Sequence, residues 1–307
     1  MPITILRACR ETGPAYQEKT MNRITIQRLT TVFLLILFIP MNLHALAMRK
    51  ISDSVDLRGG RYDSLEVRVV DASIEVIPAR RNNTVITLTG ESNRRLYLDL
   101  STSRGHAEVV VKQRWPRLLS FNTRNRNLRI VVEVPDREFD EMLFKSVSGR
   151  IVIKDIRGSA VAASSTSGSV EAANIQVQSL DLKSVSGSVT ARNNQAGTYA
   201  LRTTSGRITL NADRGSVDAS SVSGSLTIVL QRLTGDVEAR SVSGSVQLNL
   251  PTSSDARLSM STVSGNIRPQ VSMESTDFSS RSVQGVIGRG TYAVNVKTTS
   301  GAITVSH

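Results

Sequence analysis

The sequence is poor in the residues that most often do chemistry. It holds one cysteine, Cys9, and three histidines, His44, His106 and His307. Removal of an N-terminal leader ending near Ala47 would leave no cysteine and only His106 and His307. Disulfides and thiolate metal sites then fall away. A Ser-His-Asp arrangement would need one of those two histidines beside a unique serine. No H-E-x-x-H, Walker A or dinucleotide-binding G-x-G-x-x-G context occurs, and the short Gly288-Arg289-Gly290 is a weak substitute. No cofactor and no metal are expected. Aromatics make up 4% of the chain, with a single tryptophan, Trp115. A core built without them must be narrow and filled by Val, Ile, Leu and Ala. No stacking platform accompanies the charge, so nucleic acid is not expected as a dedicated partner.

What the chain has instead is a four-residue phrase that returns nine times, typified by Ser146-Val147-Ser148-Gly149 and ending with Thr298-Thr299-Ser300-Gly301. Its glycines are 149, 168, 187, 206, 224, 244, 265, 285 and 301, with successive differences of 19, 19, 19, 18, 20, 21, 20 and 16. A period near 19 sustained over half a chain marks a solenoid. Two positions after the glycine the residue is always aliphatic, from Ile151 to Ile303. Seven before it the residue is always apolar, from Met142 to Val294, and three before it is always Ser or Thr. Positions −7, −5 and −3 share one face of a strand, and +2 with +4 do the same after the glycine. Each copy reads as two short strands bent at Ser-Gly, where glycine is expected to supply corner backbone angles. The expected fold is all-β: a β-solenoid of about nine coils of roughly 19 residues, stacked about 4.8 Å apart. The inward hydroxyls at −3 should form a structural ladder.

The first 47 residues set the compartment. From Met21 the pattern is that of a secretory signal peptide, with Arg23 and Arg28, the apolar run Val32–Ile39 and the A-x-A site Ala45-Leu46-Ala47. The apolar run is shorter than the ~20 residues a spanning helix needs. The true start is expected near Met21 and the mature chain from about Met48, exported to the periplasm or secreted. The formal charge of +12 falls to +9 for residues 48–307, with 33 basic and 24 acidic residues. A basic exported protein meets anionic lipid headgroups, envelope phosphates or acidic polysaccharide.

Three regions follow: 1–47 as leader, 48–140 as an irregular β segment acting as a cap, and 141–307 as the repeat domain. The middle region contains six β-like runs, Leu65–Val70, Ser73–Ile77, Thr84–Leu88, Leu96–Leu100, Glu108–Val111 and Leu128–Val134. It is either an irregular start of the solenoid or a small sandwich on its end. Between them, the stretch from Arg114 to Asn127 is the least strand-like. It combines Trp115 and Phe121 with Arg114, Arg117, Arg124 and Arg126. One reading is a surface-contact loop for membrane or glycan; the other tucks the aromatics into the cap and leaves the arginines solvated.

Position −4 supplies the sharpest binding candidate. It reads Lys145, Ser164, Lys183, Arg202, Ser220, Arg240, Ser261, Arg281 and Lys297, and points outward. Stacking would turn its cations into a row suited to a linear polyanion; the alternative is a solvated face that blocks sheet association. Position −6 places Asp218 and Glu238 in adjacent coils, roughly 5 Å apart, the separation of a retaining glycosidase pair. Beside a basic row they are more simply its salt-bridge partners.

With its leader, Val134-Pro135 step and S-V-S-G units, the chain resembles the bacterial β-strand-repeat family of “putative adhesins” of unknown function, over roughly Leu65 to Val305. The resemblance implies a cell-envelope β-solenoid in adhesion or envelope-stress sensing, with no catalytic residues to carry over. After Gly301 there is no apolar helix or sorting motif, which favours periplasmic or secreted residence. The expectation is a non-catalytic envelope protein binding an anionic polymer or surface. The alternative is a scaffold joined end to end through its final coil, Thr291 to Val305, with a polysaccharide-active enzyme a distant third.

Overall fold

The structure, a computed structural model, describes residues 48–57, 62–114 and 124–307. The predicted leader, 1–47, and Trp115, Arg117 and Phe121 lie outside the described residues. Every regular element among those described is a β-strand. Two parallel ladders face each other across an aliphatic core.

The first ladder carries the strands that precede each corner. Met142 lies opposite Val161, Val161 opposite Leu180, Leu180 opposite Tyr199, Tyr199 opposite Val217, and Val217 opposite Val237. The second carries the strands that follow. Ile151, Val170, Val189, Ile208, Leu226 and Val246 align in the same way. All of these side chains are buried. The period-2 alternation forces this, because a one-residue slip would turn the whole aliphatic set outward.

The corner between the ladders is built from the Ser-Gly phrase. The Ser184 hydroxyl accepts from the Gly187 N–H at 2.9 Å and donates to the Gly168 carbonyl at 2.9 Å. Ser165, Thr203 and Ser241 do the same for their own coils. These corner glycines do not adopt left-handed backbone angles, contrary to expectation; positive φ occurs at Gly90, Gly105, Gly215, Gly288 and Gly290. Glycine is required for a different reason. A Cβ on Gly187 would overlap the carbonyl of Gly168, and each corner repeats the clash with the coil before it. The left-handed turn falls at the opposite corner, on Asp155 (φ 56°), Asn174 (φ 56°) and Asn193 (φ 53°). Asx residues tolerate that conformation, and Asn174 donates to Asp155 at 2.9 Å.

At the C-terminal end the coils do not stack in chain order. Strand Tyr292–Thr298 lies between Val237–Ser241 and Ala256–Thr262, and Ile303–Ser306 between Val246–Asn249 and Ile267–Gln270. The last coil is therefore an interior one, and both of its edges are paired. This corrects the expectation of an open edge at Thr291 to Val305, because its ladder groups already have partners on either side. The eighth copy of the phrase is also not a corner. Ser282–Ile287 runs antiparallel to Ala256–Thr262 and to Glu274–Phe278, with Gly285 inside the strand. Gly288 (φ 61°) and Gly290 (φ 71°) then reverse the chain. Asp255 clips this turn by accepting the Arg289 N–H at 3.0 Å and an ion pair at 3.3 Å.

The N-terminal end mirrors this displacement. Ser64–Val69 lies between Glu141–Ser146 and His106–Arg114, and Ser73–Pro78 between Ile151–Lys154 and Asn125–Val134. All six predicted runs are strands, and they continue the same two ladders. Antiparallel strands Arg95–Ser103 and Thr84–Ser92, then Arg49–Leu57, follow outward. Arg137 fixes this region from below: its guanidinium lies 4.5 Å from the ring centres of both Tyr62 and Phe139 and donates to the Tyr62 carbonyl at 2.7 Å.

Candidate binding face

The outward side of the first ladder gathers the cations of position −4. Lys145 neighbours Ser164, Ser164 neighbours Lys183, and Lys183 neighbours Arg202. Arg202 is followed by Ser220, then Arg240. Because the last coil is interior, Lys297 stands next to Arg240 and ahead of Ser261. At the other end Arg68 stands next to Lys145. The row therefore reads two cations and a serine, three times over: Arg68, Lys145, Ser164; Lys183, Arg202, Ser220; Arg240, Lys297, Ser261. Chain order conceals this regularity.

Arg68 lies outside the nine copies of the phrase because its coil lacks Ser-Gly. Aligned on Ala72, which takes the glycine's place beneath Gly149, Leu65, Val67, Val69, Ile74 and Val76 occupy the inward positions of a repeat. That apolar pattern was the available signal. Arg281 does not join the row. It sits in the bend before the antiparallel strand, where its carbonyl accepts the Thr262 N–H at 2.9 Å. Arg114 ends the strand His106–Arg114, opposite Arg95, and Arg126 lies opposite Glu91 within a strand. Arg124, whose N–H donates to Asn93 at 3.1 Å, precedes that strand. Two of the three described arginines of the proposed surface loop thus stand on strands.

A carboxylate row runs beside the cations. Arg68 pairs with Glu66 at 2.6 Å and Glu108 at 3.2 Å, and Lys145 with Glu66 at 3.2 Å. Lys183 pairs with Asp181 at 2.5 Å, Arg202 with Asp218 at 2.6 Å, and Arg240 with Glu238. Glu66 is the buried member. Burial pushes its carboxyl up, but hydrogen bonds from Arg68 and Lys145 outweigh this and hold it below the usual range. Lys297 makes no ion pair among the described residues. Asp218 and Glu238 are in adjacent coils, as the glycosidase reading requires, but each is engaged by an arginine. The −3 hydroxyls are likewise spent on the corner bonds.

Among the described residues no helix is long and apolar enough to cross a membrane, and no cluster of His, Cys, Asp and Glu could hold a metal ion. Paired parallel ladders closed by Ser-Gly corners define a stacked all-β repeat protein. The family model described as Toastrack DUF4097 matches residues 62–306, and the chain belongs to that family. Among solved structures it is similar to a “putative adhesin” from Bacteroides fragilis, with 16% identity and a TM-score of 0.49, covering 84% of this chain and 97% of that one. A “putative adhesin” from Parabacteroides merdae matches with 11% identity and a TM-score of 0.46, covering 85% and 96%. A “putative lipid binding protein” from Parabacteroides distasonis matches with 14% identity and a TM-score of 0.43, covering 83% and 97%. No curated protein matches.

Proposed function

We propose that this chain is an exported, non-catalytic cell-envelope binding module, periplasmic or secreted, that uses the outer face of its first ladder against an anionic polymer or surface. The antiparallel strands at its two ends act as caps on a solenoid of stacked coils, with residues 48–140 supplying the N-terminal one. The observation that carries the reading is the aligned cation row, two cations and a serine repeated from Arg68 to Ser261. The pairs at Lys183, Arg202 and Arg240 are exposed and weak, roughly 0–1 kcal/mol each, so a dense polyanion can exchange with their carboxylates; only the pairs of Arg68 and Lys145 use the buried Glu66. Against catalysis, Asp218 and Glu238 each hold an arginine. Against an end-to-end scaffold, the outermost C-terminal strand of the second ladder is the four-residue Ile267–Gln270, which contains Pro269. Proline and short length both discourage edge pairing.

The test is binding to soluble polyphosphate at low and high salt. The Lys183→Ser, Arg202→Ser, Arg240→Ser variant should lose most of the affinity, and the wild-type affinity should fall steeply with ionic strength. Unchanged binding in the triple variant sinks the cation-row reading.

A further inference from the structure

The corner itself exposes an apolar ridge. Val147, Val185, Val222 and Val242, the second residues of the Ser-Gly phrase, are 45–48% exposed. Val70 at one end and Val263 at the other are 66% and 63% exposed. Threonines 166, 204 and 299 complete the row, so every rung is β-branched. Main-chain bonds fix the rungs. The N–H of Ser148 donates to the Val70 carbonyl, Ser167 to Val147 and Ser186 to Thr166, and the pattern continues to Ser264 and Thr299, all at 2.8–2.9 Å. The ridge is thus continuous and tied rung to rung, roughly 38 Å long at about 4.8 Å per rung. It follows the cation row from coil to coil, two residues further along the chain, just past the end of each strand.

Soluble proteins do not usually gather exposed large aliphatics on one edge, whereas valine fills every rung of this one except those of the three threonines. A soluble polyanion would engage the cations and leave the valines in water. Two copies packed ridge on ridge in antiparallel fashion would bring cation row against cation row. A flat bilayer with anionic headgroups satisfies both rows: apolar side chains enter the interfacial layer while lysine and arginine meet lipid phosphates. It also supplies apolar burial where most cations already have carboxylate partners, Lys297 being unpaired among the described residues.

We infer that this edge docks the protein on an anionic lipid bilayer, with the valine ridge inserted at the interface and the Arg68–Lys297 row on the headgroups. The inference rests on the cation-row reading above and names the surface.

The experiment is flotation of the full chain with phosphatidylglycerol/phosphatidylcholine vesicles and with phosphatidylcholine alone, alongside polyphosphate binding and sedimentation of the free protein. The ridge variant is Val147→Thr, Val185→Thr, Val222→Thr, Val242→Thr, which keeps every rung β-branched and uses a residue the row already contains. It should lose about tenfold or more of its partition onto the anionic vesicles, with polyphosphate binding and melting temperature unchanged. Equal vesicle binding by the ridge variant overturns the inference. So does wild-type protein that binds polyphosphate but not vesicles, which leaves a polymer as the ligand and the cation-row reading intact. A wild-type dimer abolished by the ridge changes assigns the ridge to a second copy and also overturns it. Equal binding to neutral vesicles, or full vesicle binding by the Lys183→Ser, Arg202→Ser, Arg240→Ser variant, sinks the cation-row reading and with it the anionic specificity.

Discussion

The hydroxyl of Thr298 donates to the main-chain carbonyl of Gly244 at 3.3 Å, and that of Thr262 donates to the carbonyl of Gly301 at 3.4 Å. The coil formed last in the chain is thus held between two coils formed earlier. It lies inside both ladders, with Val294 buried between Val237 and Leu258. Removing a true end coil of a solenoid costs about one coil's share of stability, since neighbours interact only with neighbours. Truncation after Gly290 is different. It strips partners from four strands at once and separates Ala256–Thr262 from the stack. The truncated chain should fail to give a cooperative thermal transition, whereas the amides of Tyr292–Thr298 in the intact chain should exchange as slowly as those of Ser216–Ser221. Fast exchange at Tyr292–Thr298 contradicts this arrangement.

The corner glycines give the second prediction. Gly187→Ala puts a methyl group into the carbonyl of Gly168, and that carbonyl is held by the Ser184 hydroxyl, so the neighbour cannot yield cheaply. The expected loss is about 3 kcal/mol or more. Denaturant unfolding measures it, and a loss under about 1 kcal/mol shows that the corner relaxes freely.

Much of the fold was legible because the repeat is local. The inward aliphatics, the −3 hydroxyl ladder and the six leading strands follow from period-2 alternation alone. Coil order was not legible, because every coil presents nearly the same inward side chains, and any coil can stack on any other. The hints lay in the degenerate copies. Four residues after Gly285 stands Arg289, and four after Gly265 stands Pro269, where intact copies place an inward apolar residue such as Leu248. Those two departures mark the antiparallel strand and the edge strand. The cation row was legible in kind but not in composition: Arg68 entered from a coil without the phrase, Lys297 moved inward, and Arg281 left. The valine ridge stands inside the phrase itself but belongs to neither strand face, so period-2 alternation gives no signal for it.

The −3 hydroxyl is the third point of test. Ser184→Ala removes one donor and one acceptor from a buried corner, leaving the Gly187 N–H and the Gly168 carbonyl without their shared partner. Such unsatisfied groups cost about 1–3 kcal/mol. Ser184→Thr should cost little, because Thr203 and Thr298 make the same bonds in other coils. Comparable losses for both substitutions would mean that packing, and not the hydroxyl, matters at this position.

The last prediction concerns alkaline pH. Tyr199 replaces an aliphatic residue at position −7 and is fully buried. Its hydroxyl donates to the Asn194 carbonyl at 2.7 Å and accepts the Ala196 N–H at 2.9 Å. Burial disfavours the phenolate and pushes its pKa up to about 12, partly offset by the Ala196 N–H. The unfolded chain has an ordinary tyrosine near pH 10. Below that pH both states hold the proton and the contribution to stability is fully present. Between about 10 and 12 the unfolded state releases its proton while the folded state keeps it, so stability falls as pH rises. The loss from this residue alone is on the order of 2 kcal/mol. Tyr199→Phe should be less stable at neutral pH, since the Asn194 carbonyl and Ala196 N–H lose their partner, but its stability should decline less between pH 10 and 12. Every other group is common to both proteins, so the difference between the two curves isolates Tyr199. Parallel curves would show that the phenol ionises as readily in the fold as outside it, and that its bonds to the Asn194 turn do not hold the proton.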